Sequence, residues 1–148
     1  MKISTKGRYG LRILLDLALH ENDTPRLIRD IAGSQQISEK YISRLIVDLR
    51  RSGMVKSIRG AKGGFRLARN PKLITLLDIV EVMEGPLAIV DCVQSPDKCK
   101  RNESCVTREI WGNLNDEIKK CMEKVTLQDI IDNYREHYMQ GGVIDYCI

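Results

Sequence analysis

The sequence predicts a mainly α-helical fold with a small β-hairpin wing, that is, a winged helix-turn-helix followed by a long helix. Three observations predict it. Apolar residues recur at helical spacing in three successive early segments. A basic, glycine-rich stretch, RGAKGG, sits between two short apolar runs. Beyond a cysteine-rich loop, another apolar stripe runs from Val106 to Val125.

Leu11, Leu14, Leu15, Ala18 and Leu19 follow the i, i+3, i+4, i+7, i+8 pattern of a helix with one buried face. Asn22 to Pro25 punctuates that segment. A shorter helix follows, with Leu27, Ile28, Ile31 and Ala32 inward and Gly33 or Ser34 as its expected end. Ser38 is a good N-cap for a third helix, because its hydroxyl can accept from a free backbone N–H of the first turn. Tyr41, Ile42, Leu45, Ile46 and Leu49 form that helix's stripe, and Gly53 is its natural stop. Val55 to Ile58 and Phe65 to Leu67 read as strands of a hairpin with a slim basic tip. Thr75 caps a further helix that Gly85-Pro86 ends. The cysteine segment reads as loop. Val106, Ile110, Leu114, Ile118, Cys121 and Val125, widened by Trp111 and Met122, then mark a long amphipathic helix. TLQDIIDNY is a short final helix. The expected organisation is a head over 1–85, a cysteine loop over 86–105, the long and final helices over 106–138 and a flexible tail over 139–148.

Charge is unevenly placed. The 148 residues carry a net +4. Residues 1–72 hold 16 Lys and Arg against 6 Asp and Glu, a balance of +10, and residues 73–148 hold 8 against 14, a balance of −6. Such asymmetry points to an anionic partner for the first half, with DNA, RNA and membrane surface open on charge alone. No apolar run reaches the length of a membrane span, and no apolar region follows the basic start as in a signal peptide. A membrane role is also disfavoured because no basic amphipathic helix exposes a broad apolar face. The expected location is the cytoplasm.

A helix that enters the major groove needs short polar and basic side chains near its start. Ser38, Lys40, Tyr41, Ser43 and Arg44 meet that need. Arg44 is the candidate for base readout, since a guanidinium can contact guanine bidentately. Lys40 and Arg50 suit phosphate contacts, which position without specifying sequence. The Tyr41 ring fits either core or contact. Arg59, Gly60 and Lys62 form a thin cationic tip suited to a minor groove, with Arg66 clustered near them.

The segments MKISTKGRYGLR, ISEKYISRL, GMVKSIRGAKGGFRLA and ITLLDIVEVMEGP resemble the Rrf-two type winged-helix regulators. The resemblance is to the branch that holds the iron–sulfur regulator IscR and the cysteine-metabolism repressor CymR, and it covers Met1 to about Tyr134. It implies a homodimeric bacterial transcription factor binding a DNA operator, with the long helix pairing across the dimer. It also implies that Cys92, Cys99 and Cys105 hold an iron–sulfur cluster, 2Fe–2S in preference to 4Fe–4S. Soft thiolates favour such clusters or zinc. In the IscR pattern a histidine stands three residues after the third cysteine, where this chain has Arg108. Nitric-oxide-sensing relatives use an aspartate near the N-terminus, where this chain offers Arg8. A guanidinium is no ligand. The fourth ligand therefore stays open among Asp91, Glu103, Glu109, Ser43, a small thiol and water. Cys121 is expected in the core, Cys147 is incidental, and His20 and His137 suit surface or capping roles. The alternative is a cluster-free cysteine-metabolism repressor acting through a partner enzyme. An enzyme is not expected, for there is no C-x-x-C, no nucleophile–base pair and no phosphate-binding glycine fingerprint.

Overall fold

The computed structural model describes residues 3–139. Of the tail expected over 139–148, Met139 is the last residue of the final helix, and residues 140–148, Cys147 included, lie outside the described residues. The order of elements is α1 (Thr5–Leu19), α2 (Ile28–Gln35), α3 (Glu39–Arg51), β1 (Val55–Ile58), β2 (Gly64–Leu67), α4 (Leu76–Glu84), the single turn α5 (Asp91–Gln94), α6 (Val106–Glu123) and α7 (Leu127–Met139). The result is a helical fold with one antiparallel two-stranded hairpin, as the sequence predicts.

Local chemistry explains most of the boundaries. Ser38 Oγ accepts from the Tyr41 N–H at 3.3 Å and starts α3. Thr75 and Asp78 form a reciprocal capping box at α4, with the Asp78 N–H to Thr75 Oγ1 at 3.1 Å and the Thr75 N–H to Asp78 Oδ2 at 3.0 Å. Gly53 follows α3 at φ +75°, a conformation that costs glycine little. The end of α2 differs from expectation. It runs past Gly33 and Ser34 and stops with Gln36 in the left-handed region, at φ 54°. Arg12 of α1 explains the late stop, since its guanidinium donates to the Gln35 carbonyl and, at 3.0 Å from Nε, to the Gln35 side chain.

The first three helices, the hairpin, α4 and α7 share one core. Ile13, Leu14 and Leu17 of α1 meet Ile31, Ile42, Leu45 and Leu49, with Ile79 and Met83 of α4 and Leu127 and Ile131 of α7. Each such side chain contributes roughly 1.5–3 kcal/mol by leaving water. Leu27, expected inward, is instead exposed. The stretch before α2 is laced to the wing: the Arg26 N–H donates to the Phe65 carbonyl at 3.0 Å, and the Phe65 N–H to the Arg26 carbonyl at 2.8 Å. Helices α1 and α4 approach so closely that a Cβ on Gly10 would lie 2.7 Å from Met83 Cγ and Sδ.

The long stripe of α6 divides. Ile118 and Met122 pack with Leu77, Val80 and Leu87 in a second, smaller cluster. Val106, Ile110, Trp111 and Leu114 are exposed, with Val106 at 77% and Ile110 at 61%. Cys121 is also exposed and is not the core residue expected, because α6 meets α4 through its neighbour Met122. The cysteine segment is less irregular than a plain loop. It is folded into α5 and two tight turns at Pro96–Lys98 and Asn102–Ser104.

Candidate DNA-binding surface and cysteine loop

Helix α3 buries Ile42, Leu45, Ile46 and Leu49 and turns the opposite side outward. Ser38, Lys40, Arg44 and Arg50 are exposed. Ser43 is half-buried, and its hydroxyl donates to the Glu39 carbonyl at 2.8 Å, one turn back. The Tyr41 ring meets the Tyr9 ring edge-on, 5.9 Å between centroids. Tyr41 thus packs on α1 while lining a cleft of about 350 Å³ with Lys6, Arg44, Leu45, Val47 and Asp48. Lys6 and Tyr9 are additions that the sequence reading missed. Lys6 Nζ lies 3.0 Å from Asp48 Oδ2, so the start of α1 sits against α3. Their only signal was the basic N-terminal segment itself.

Arg59, Gly60 and Lys62 form the exposed wing tip. Gly60 has φ +107°, and its carbonyl accepts from the Gly63 N–H at 3.0 Å, which closes the turn. Arg66 does not belong to this cationic tip. Its guanidinium donates to the carbonyls of Glu21 and Asp23 and so braces the hairpin against the α1–α2 connection.

Behind the head, the strap from Gly85 to Val90 leads into the cysteine loop. The Leu87 N–H donates to Glu81 Oε1 at 3.1 Å, and the Ile89 N–H to Oδ1 of the buried Asn115 at 3.1 Å. Cys92, Cys99 and Cys105 are free, half-buried thiols. Cys105 occupies the N-cap position of α6, with Sγ 3.3 Å from Thr107 Oγ1. The Thr107 hydroxyl, then the backbone N–H of Arg108, hold its thiol below the ordinary cysteine range. Arg108, in the place of the expected histidine, donates through Nη1 to the carbonyl and the side-chain oxygen of Asn102 and buckles the loop onto α6.

As a donor set, three soft thiols in one loop suit an iron–sulfur cluster or zinc. Among the described residues, no three Cys, His, Asp or Glu side chains gather closely enough for a metal. Of the open fourth ligands, Glu109 shares a cleft of about 350 Å³ with Cys105, Asp91 and Glu103 are exposed, and Ser43 is bonded within α3. His20 and His137 each bond a carbonyl one turn back, Asp16 at 2.8 Å and Asn133 at 2.7 Å, in agreement with capping roles.

A helix-turn-helix with a cationic wing, exposing polar and basic side chains at the start of its third helix, defines a winged-helix DNA-binding regulator. Residues 3–133 match the family described as "Rrf2: Iron-dependent Transcriptional regulator", and the chain belongs to that family. It is 40% identical over 142 residues to the HTH-type transcriptional regulator CymR of Bacillus subtilis, covering 94% of this chain and 98% of that protein. The solved structure of B. subtilis CymR (YrzC), described as the global cysteine regulator of that organism, superposes with a TM-score of 0.73 at 39% identity, covering 90% of this chain and 98% of that one. T. potens IscR superposes with a TM-score of 0.75 at 36% identity, covering 95% and 96%. The relatives are named as transcriptional regulators, and the protein is a regulator and not an enzyme. Among the described residues, no helix is long and apolar enough to cross a membrane.

Proposed function

We propose that this regulator binds a two-fold symmetric DNA operator as a homodimer and receives its signal at the cysteine loop. The observation that carries the reading is the exposed polar and cationic start of α3, held over a shared core beside an equally exposed wing tip. Arg44 reads base edges, with Ser38, Tyr41 and Ser43 beside it. Lys40 and Arg50 hold phosphates, and Arg59, Gly60 and Lys62 enter the minor groove. The apolar ridge of Val106, Ile110, Trp111 and Leu114 pairs with its copy in a second chain, which removes from water a surface that nothing in the described chain covers.

Two readings of the loop have support. Three free thiols within one loop, in a family described as iron-dependent, favour a cluster on Cys92, Cys99 and Cys105. When bound, such a group would make the loop responsive to iron–sulfur supply or redox state. Arg108 in the histidine's place, the absence of a three-residue metal-ion group among the described residues and the 40% sequence identity to CymR favour a cluster-free cysteine-metabolism repressor working through a partner protein. Anaerobic isolation, with iron and sulfide assays and operator binding before and after reconstitution, separates them. A cluster regulator emerges coloured, and its operator affinity shifts by about 5- to 150-fold with cofactor. Colourless protein that cannot be reconstituted selects the second reading, which a pull-down recovering a metabolic enzyme then tests.

A further inference from the structure

One oxygen of Glu84, Oε1, accepts three hydrogen bonds at the start of α1. They come from the Ser4 N–H at 3.0 Å, the Ser4 hydroxyl at 2.7 Å and the Gly7 N–H at 3.0 Å. A carboxylate is favoured there, because the first N–H groups of a helix lack partners inside it and the dipole is positive at that end. Glu84 makes no ion pair among the described residues. The fit is close, for a Cβ on Gly7 would stand 2.7 Å from the same oxygen.

From this clamp onward, three residues at three-residue spacing along α1 hold α2 and α3. Lys6 pairs with Asp48 of α3 at 3.0 Å, Tyr9 meets Tyr41 of α3, and Arg12 Nε donates to Gln35 of α2 at 3.0 Å. The position of α1 along α3 therefore decides where Lys6 stands in the cleft beside Arg44 and how the Tyr9 ring backs Tyr41, which lines that cleft. We propose that Glu84, which lies outside the helix-turn-helix and contributes no cation, is a positioning residue for DNA binding. It fixes the start of α1, and α1 seats the exposed face of α3. The inference rests on the DNA-binding reading above.

Electrostatics and positioning make opposite predictions for this residue. A carboxylate in a head that binds a polyanion opposes binding, so its removal should tighten the complex if charge is all that matters. If Glu84 positions α1, its removal weakens the complex.

The test measures operator affinity of the full chain over a range of salt, for the wild type and for Glu84→Ala and Glu84→Gln, with thermal melts of each. Glu84→Ala is expected to lose about fivefold or more in affinity. Its slope of log affinity against log salt should be unchanged, because no phosphate contact is removed. Glu84→Gln keeps an acceptor oxygen and is expected to restore most of the affinity. Equal or tighter binding by Glu84→Ala overturns the proposal, as does a loss accompanied by a shallower salt slope. If Glu84→Ala does not fold, Ser4→Ala takes its place: it removes the hydroxyl that donates to Glu84 and that also accepts from the Lys6 N–H as the cap of α1, so it loosens the same helix start, and unchanged binding by that variant overturns the proposal. Wild-type protein that binds no duplex refutes the DNA-binding reading itself, and that result appears before any variant is compared.

Discussion

Arg26 and Asp16 face each other inside the head, with the guanidinium Nε 2.9 Å from a carboxylate oxygen and the Asp16 side chain 2% exposed. The Ser34 hydroxyl and the Gln35 amide, at 3.0 Å, complete the cage around that carboxylate. The network ties α1 to α2. Arg26→Ala strands a buried charge, and the expected cost is about 3–5 kcal/mol. Urea unfolding measures it, and a loss below about 1 kcal/mol would be that of an exposed pair.

The contact of Gly10 with Met83 predicts the outcome of a small change. Gly10→Ala gains up to about 1 kcal/mol in helix propensity. The new Cβ meets a Met83 side chain that is 1% exposed and cannot swing outward. Overpacking of this kind costs about 1–3 kcal/mol, so the net expectation is a lower melting temperature. Adding Met83→Ala to Gly10→Ala relieves the collision, and a double variant showing no such relief would refute the explanation.

Arg44 and Lys40 should fail in different ways. Arg44→Ala is expected to relax discrimination between operator and altered sites by roughly 1–3 kcal/mol at one position. Lys40→Ala weakens all duplexes alike and lowers the salt slope by about one unit. Binding isotherms on matched and mismatched duplexes distinguish them. Equal losses of specificity would contradict the assignment.

The α6 ridge predicts an assembly defect. Trp111→Glu or Leu114→Glu places a charge where, in the proposed dimer, an apolar surface meets its copy. Sedimentation should show monomers, with the helical spectrum retained because neither side chain enters a core cluster. A variant that remains dimeric would place the interface elsewhere.

The Cys105 thiol is stabilised as thiolate by Thr107 and by the start of α6. A lowered pKa means that alkylation of the metal-free protein persists to lower pH than for an ordinary cysteine. Thr107→Val removes the largest cause and moves the profile upward, while the Arg108 N–H retains part of the effect. Peptide mapping of iodoacetamide labelling against pH reads this directly, and a profile indifferent to Thr107 would disprove the cause.

Much of the head is legible in the chain because its signals are local. Ser38 and Thr75 are caps whose partners lie three residues away, and the hairpin is announced by its own glycines. The interior polar contacts escape the periodic pattern because their partners are distant. Asp16 reads as a solvated helix residue until Arg26, Ser34 and Gln35 are folded around it. Asn115 is hidden in the same way, since its acceptor is claimed by the Ile89 N–H from the strap. The exposure of Cys121 follows from the direction in which α6 meets α4, a tertiary choice that helical spacing does not encode. The thiols could be recognised as a set from their shared loop, but whether they gather into a metal-ion group could not, because spacing along a chain does not say how its turns fold.

The two backbone hydrogen bonds between Arg26 and Phe65 tie the hairpin to the stretch that leads into α2. In the proposed binding mode, a duplex brings one groove to the start of α3 and the next to the wing tip. Inserting a base pair between those two contacts rotates and displaces one relative to the other, so an operator lengthened by one pair is expected to lose one of the two grips.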